Sequence, residues 1–347
     1  MRRVAVLLSL VPLCLQAQEP ASREGSVRRE LRVGRVEIDA YVTASSGEPI
    51  PDLAPADFDV AIDGRPATVE SAEWIPADRS EGAPSEPSAD AGSGPSVDPA
   101  AAPPRYPPGR LLVFFFQSDF QSSRLIGLVR MANQARRLIE TLLPTDRVAV
   151  ISYDSHLKLR QDFTDDRVAL SRAMFEAIKT GPAAPTDPTR FPSLAAGWDL
   201  EAARHAATPD RGLAVAARAL AKIPGAKSLL FFGWGLHIRN DPKNVGDWVA
   251  ALRGLAAART SLFALDVTDA DYHTLETTLE VASSLTGGTY EKTHEFPQLA
   301  LRRVARAISG RYVLVVVRPE GPAGFHSVDV RLAGRKGRVN ARPYFED

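Results

Sequence analysis

Leu111-Leu112-Val113-Phe114-Phe115-Phe116 is the stretch on which the fold turns. A half-solvated strand alternates apolar with polar side chains. Six consecutive large apolar residues read instead as a strand covered on both faces, as in a parallel sheet between helix layers. Downstream, Leu125, Leu128, Val129, Ala132, Leu138, Ile139 and Leu142 recur at helical spacing, with Pro144 just past the end. Val148 to Tyr153 reads as a second strand and Leu157 to Phe163 as a third, more exposed one. Thr164 then caps a helix with Asp165 and Asp166 in its first turn. After a Pro-rich loop come two Ala-rich helical stretches, Leu194 to Ala207 and Gly212 to Ile223. Ser228 to Phe232 is another buried strand, followed by Gly233-Trp234-Gly235. A helix through Val245 to Leu255, a strand at Ser261 to Val267 and a helix at Leu275 to Leu285 closed by Gly287-Gly288 come next. Phe296 to Ile308 reads as the last helix and Tyr312 to Val317 as the last core strand. Strands and helices in alternation imply an α/β fold: a doubly wound, mainly parallel sheet spanning residues 109–318.

Both flanks are β-like. Residues 26–76 contain two alternating stretches, Val33 to Val42 and Asp57 to Ile62, the second stopping at the hairpin signal Asp63-Gly64. Residues 319–347 read as a β-hairpin, with Phe325, Val328, Val330 and Leu332 before Gly334 to Gly337 and Val339 and Ala341 after it. About fifty residues make a marginal β domain alone, so the C-terminal hairpin is expected to pack with the N-terminal strands. Residues 77–108, crowded with Pro, Ser, Gly and Ala, lack the apolar side chains that would repay ordering and read as a disordered linker.

The first 18 residues read as a signal peptide: Arg2 and Arg3, an apolar run from Val4 to Leu15, then Ala17 for cleavage. The run is shorter than the about 20 apolar residues that span a bilayer, so no transmembrane segment is expected. A secreted or periplasmic bacterial protein follows. Cys14 is the only cysteine, and Leu13 before it is not the small residue a lipid anchor requires. A mature chain without cysteine excludes disulfides, thiolate nucleophiles and zinc–thiolate sites. Lys+Arg and Asp+Glu balance at 42 each over 347 residues, which removes the electrostatic case for nucleic acid. The basic cluster Arg331 to Arg338 reads as a solvated hairpin.

Several motifs, taken in chain order, resemble one bacterial group. They are Asp57-Phe58-Asp59-Val60 through Gly64, Asp146-Arg147-Val148-Ala149-Val150 through Tyr153, Asp162-Phe163-Thr164-Asp165, and Leu285-Thr286-Gly287-Gly288. A closing pattern runs through Tyr312, Leu314, Gly324-Phe325-His326, Val328, Val330, Val339 and Ala341 to Tyr344. Together they resemble the VWFA-related proteins, built on a von Willebrand factor type A (VWA) domain. The resemblance covers most of the chain and implies a VWA/Rossmann-like sheet.

It also implies a divalent-cation site at the top of that sheet. Such a site uses Asp-x-Ser-x-Ser after the first strand, a Thr from a later loop and an Asp after the fourth strand, hard oxygens that suit Mg²⁺. This sequence departs from the pattern. Counted from Phe116, Gln117 replaces the first Asp, and Asp119 and Gln121 replace the serines. Shifted by two residues, Asp119-Phe120-Gln121-Ser122-Ser123 keeps the Asp but loses the middle Ser. Gly233-Trp234-Gly235 fills the loop of the fourth-strand Asp, with Asp241 several residues later. One sure carboxylate is too little charge to offset dehydration of Mg²⁺, so no cofactor is expected. If Mg²⁺ were held, Asp119, Ser123 and Thr189 would be its ligands. The competing reading of this segment is helix capping by Ser122 or Ser123. Trp234, with His237 nearby, reads as an aromatic contact or equally as a core residue.

No catalytic signature stands out. The six histidines are scattered, without an HExxH pair, and G-x-S-x-G and P-loop motifs are absent. The sequence therefore predicts an exported, non-enzymatic binding protein that contacts a protein or glycan. Its expected binding rim is Asp119, Gln121, Ser122, Ser123, Thr186, Thr189, Trp234, His237 and Asp241. Two alternatives stay open. One is a hydrolase using Asp266, Asp269 or Asp271, which follow a strand end, with His237 or His273. The other is a structural envelope component.

Overall fold

The computed structural model describes residues 34–79, 107, 109–119, 121–183, 186–236, 245–270 and 272–347. The expected signal peptide, nearly all of the expected linker, and His237, Asp241 and Asp271 lie outside the described residues. Three strands come first: β1 (Arg35–Thr43), β2 (Phe58–Ile62) and β3 (Arg65–Pro76). The α/β half opens with β4 (Leu111–Gln117), α1 (Ser122–Glu140), β5 (Arg147–Tyr153), β6 (Leu157–Thr164) and α2 (Arg167–Ile178). It continues through α3 (Leu200–Arg204), α4 (Pro209–Leu220), β7 (Lys227–Gly233), α5 (Val245–Ala257) and β8 (Thr260–Asp266). Then α6 (Glu276–Thr286), β9 (Tyr290–Lys292) and α7 (Pro297–Ala307) complete it. The chain ends with β10 (Gly310–Val317), β11 (Phe325–Leu332), β12 (Arg338–Ala341) and β13 (Tyr344–Glu346).

The α/β sheet has the order β6-β5-β4-β7-β8-β9, parallel except for β6, which runs antiparallel to β5 at one edge. The apolar run in β4 sits near the centre. Leu111, Val113 and Phe115 pack into the cluster that includes α4 and α5 residues, while Leu112, Phe114 and Phe116 pack into that of α1, α2 and α7. Phe115 and Phe116 register against Phe231 and Phe232 of β7, with ring centroids 5.0 and 4.6 Å apart. Each such stacked pair adds about 0.5–1.5 kcal/mol beyond area burial. On the α1 side, Gly127 lets the helix lie against the residue that follows β8: a Cβ there would stand 1.8 Å from the Val267 carbonyl oxygen.

The second sheet is antiparallel, in the order β12-β1-β10-β3-β2-β11-β13. Its core gathers Ile38, Ala40, Val42, Phe58, Val60, Ile62, Tyr312, Leu314, Val316 and Val328. The N-terminal strands and the C-terminal segments thus share one sheet. Two details differ from the sequence expectation. β10 is not the last strand of the α/β sheet; that place belongs to the short β9, and β10 lies between β1 and β3. An apolar run reports burial on both faces but does not name the sheet that buries it. Nor do β11 and β12 form a hairpin: β11 pairs with β2 and β13, and β12 pairs with β1. A Cβ on Gly337 would touch both Leu332 of β11 and Thr43 of β1, so the sheet curls on itself and Ala333 to Gly337 spans its mouth.

Smaller departures have local causes. The stretch expected as a helix from Leu194 to Ala207 is a 3-10 turn, Ala195–Gly197, followed by α3, with Asp199 capping the latter. Asp166, not Thr164, caps α2, its carboxylate accepting from the Val168 and Ala169 amides at 2.8 and 3.1 Å.

The two halves meet along β1, whose alternation turns Ile38, Ala40 and Val42 inward and Asp39 and Tyr41 toward the α/β half. The Tyr41 ring meets Phe263 edge-on at 5.3 Å. Asp39 is buried, with Arg259 donating to it at 2.9 and 2.7 Å and Arg311 at 3.2 Å. Burial alone would raise the Asp39 pKa, but Arg259, Arg311 and Arg342 outweigh it and hold the carboxyl at about 2.

Candidate functional site

Numbered along the chain, the α/β sheet has the order 3-2-1-4-5-6, and its connections diverge between β4 and β7. Doubly wound sheets bind ligands at such a switch point, beyond the carboxyl ends of the strands. Here those ends are Gln117-Ser118-Asp119 and Gly233-Trp234-Gly235. The sheet is open, mainly parallel and doubly wound.

The solved structures to which this chain is similar share little sequence with it. A von Willebrand factor type A protein from Catenulispora acidiphila aligns at 10% identity and TM-score 0.40, over 91% of this chain and 74% of that one. An aerotolerance-related membrane protein from Bacteroides fragilis and the BatB protein from Bacteroides thetaiotaomicron each align at 13% identity and TM-score 0.37. Each alignment covers 58% of this chain and 98% of the other. No protein-family model matches the chain, and no curated protein does.

Gln117 is buried, and its Oε1 accepts from the Trp234 amide at 3.0 Å and the Gly235 amide at 3.3 Å. Both acceptor lone pairs of the carboxamide are thereby used. Gly233 makes room for this: a Cβ there would lie 2.5 Å from Gln117 Oε1. Where a cation site would place a carboxylate, this chain has a neutral clasp between β4 and the β7 loop.

Asp119 is committed as well. One carboxylate oxygen accepts from the Gln121 amide, and the other takes the Arg124 guanidinium at 2.6 Å. Gln121 is the residue preceding α1, and its side chain makes no capping bond; Ser122 and Ser123 are exposed on the first turn rather than capping it. Arg124 lies over the Trp234 ring, 4.5 Å from its centroid, and Trp234 is only 8% exposed. Trp234 is therefore a packed platform for a guanidinium, not a projecting aromatic contact.

Thr186 and Thr189 point away from this rim. Thr186 Oγ1 donates to the Leu159 carbonyl at 3.3 Å, and Thr189 Oγ1 to Asp162 at 2.9 Å. Buried Asp162 also accepts from Ser193 Oγ at 2.6 Å and the Leu194 amide at 2.6 Å, pinning the loop to β6. The residues a divalent cation would need do not fit it. Gln117 has no free lone pair, Asp119 is neutralised by Arg124, and Thr189 serves Asp162.

The structure brings other side chains to the rim. A crevice of about 750 Å³ lies over the ends of β4 and β5, lined by Asp119, Asp154, Ser155, His156, Lys158 and Trp234 among others. Lys158 donates to both Asp154 oxygens, one at 2.5 Å, and the Ser155 and Gly181 amides donate at 2.5 and 3.3 Å. Burial would raise the Asp154 pKa; Lys158 and the two amides outweigh it and hold it at about 2. Burial first, and then nearby Lys158, keep the His156 pKa below its usual value. The sequence analysis singled out none of this group: Asp154 to His156 fall between two expected strands and Lys158 inside the second. The available signal was a strand-end Asp154 with Lys158 four residues on.

At the end of β8, Asp266 is buried. His273 Nε2 lies 2.6 Å from its Oδ2, Tyr290 donates to the same oxygen at 2.8 Å, and the Thr268 amide and hydroxyl donate to Oδ1 at 3.0 and 2.5 Å. Burial and the Asp266 charge raise the Tyr290 pKa strongly. Neither Asp266 nor Asp269 caps α6: Leu275 precedes the helix without a side-chain cap, and Asp269 faces Arg130 at 3.3 Å. Among the described residues, no three His, Cys, Asp or Glu side chains converge on a metal position, and no helix is long and apolar enough to cross a membrane.

Proposed function

We propose that this chain is an exported binding module that holds a protein or glycan partner in the rim crevice without a metal ion. The observation that carries the reading is the Asp119–Arg124–Trp234 arrangement. A guanidinium held over a buried indole and ion-paired with Asp119 presents its remaining N–H donors at a switch point that doubly wound folds use for ligands. The partner would meet Asp119, Ser155, His156 and Lys158 around those donors. Gln121, Ser122 and Ser123 border it on α1, whereas Thr186 and Thr189 are occupied elsewhere.

Photo-crosslinking tests the reading. With benzoylphenylalanine at Ser155, a discrete adduct from bacterial envelope fractions is expected, and none with the same group at exposed Phe325 of β11. Equal labelling at both positions, or none at Ser155, would count against the rim. Calorimetry with Mg²⁺ and Mn²⁺ should show no saturable binding.

The His273–Asp266 pair favours a second reading, a hydrolase. It predicts turnover of ester or glycoside substrates that His273→Ala abolishes, whereas the binding reading predicts none.

A further inference from the structure

A second cleft, of about 580 Å³, lies between α7, the turn after β1 and strand β12. Its lining includes Arg302, Arg303 and Arg306 of α7, Arg338 of β12 and a single acidic residue, Glu291. Arg303 reaches Glu291 at 3.1 Å and Arg306 reaches Glu48 at 3.0 Å. The guanidinium groups of Arg302 and Arg338 make no hydrogen bond or ion pair with any described residue, although Arg338 is near enough to act on the charge of Glu291, and both residues are exposed. Two guanidinium charges are thus in excess in a concave site of a chain whose formal net charge is zero.

Helix electrostatics do not account for them. A cation in the last turn, such as Arg306, gains from the helix dipole, but Arg302 stands a turn earlier. Arg302 and Arg306 are also like charges four residues apart, an arrangement that costs an isolated helix a few tenths of a kcal/mol. Sequence separation hides the cluster: Arg338 lies more than thirty residues beyond α7, and only the pairing of β12 with β1 brings it to the helix.

We propose that this cleft is a binding site for a multivalent oxyanion, the chemistry shared by phosphoryl-bearing and carboxylate-bearing ligands. The planar guanidinium fork matches both groups bidentately. The free forks of Arg302 and Arg338 grip the anion, while Arg303 and Arg306, held by their glutamates, shape the walls. This site is separate from the rim and does not depend on the reading given for it.

Calorimetry at low ionic strength, with tripolyphosphate in one arm and citrate in the other, tests the proposal on the full chain. One equivalent should bind saturably in at least one arm, and the arm that binds identifies the group. R302Q and R338Q should each weaken binding about tenfold, as expected for loss of a charge-assisted hydrogen-bond pair. R331Q removes an exposed arginine that pairs with Asp329 outside the cleft, and should change nothing. No saturable binding in either arm, or equal loss with R331Q and R302Q, would overturn the proposal. Unchanged melting of the variants shows that the fold is intact.

Discussion

Asp210→Asn should stabilise this protein at neutral pH, and more so as the pH rises. Asp210 lies in the first turn of α4 but is only 2% exposed, and its Oδ1 has no hydrogen-bond partner. Burial, reinforced by the charge of Asp247, pushes its pKa up to about 7 from an ordinary 3.8. A raised carboxyl pKa means that the native state keeps its proton after the unfolded chain has released it. Between about pH 4 and 7 the native state therefore binds more protons, and stability falls as pH rises. At about 1.4 kcal/mol per pKa unit, a shift of about three units corresponds to roughly 4 kcal/mol across that window. Asparagine has nearly the same shape and does not ionise, so its stability lacks this slope. The assay is urea unfolding followed by tryptophan fluorescence from pH 4 to pH 8, wild type against variant. The difference in unfolding free energy should grow by about 3–4 kcal/mol in favour of the variant, most of it by pH 7. Parallel stability curves would refute the reasoning, because Asp210 would then ionise alike in both states.

Asp39→Asn leaves Arg259, Arg311 and Arg342 facing a neutral partner at the junction of the two halves, and should cost about 3–5 kcal/mol in urea unfolding near neutral pH. Because the Asp39 pKa is lowered, to about 2, the contribution is present above about pH 4 and is lost as pH falls toward 2; the acid limb of the wild-type stability curve reads this directly. Gln117→Leu leaves the buried amides of Trp234 and Gly235 without their acceptor and should cost about 1–3 kcal/mol per amide by the same measurement. Gly127→Ala forces α1 away from the Val267 carbonyl and should lower the melting temperature through a loss of about 1–3 kcal/mol, whereas alanine at exposed Gly246, where a Cβ meets nothing, should not.

The α/β half was legible because its signals are local. Apolar runs for buried strands, stripes at helical spacing and Gly287 in the left-handed conformation at the end of α6 each act within a dozen residues. β9 escaped because Tyr290-Glu291-Lys292 is short and polar, as an edge strand can be. β10 was visible as a strand but not as a member of the antiparallel sheet.

The candidate rim was legible only in part. That Gln117 and Gly233 stand where the expected cation pattern has carboxylates could be read from the sequence, yet what occupies the rim side chains lies in contacts between distant segments. Trp234 under Arg124, the two amides on Gln117 and Thr189 on Asp162 span up to 118 residues of chain.

By itself, then, the sequence determined which segments are buried, which are helical and which strand ends lack carboxylates, since these follow from side-chain chemistry and short-range periodicity. Only the tertiary structure decided which sheet takes β10, what neutralises Asp119 and which arginines share a cleft. Those outcomes depend on strand pairing across long loops, and the burial pattern of a single strand is the same whichever neighbours cover it.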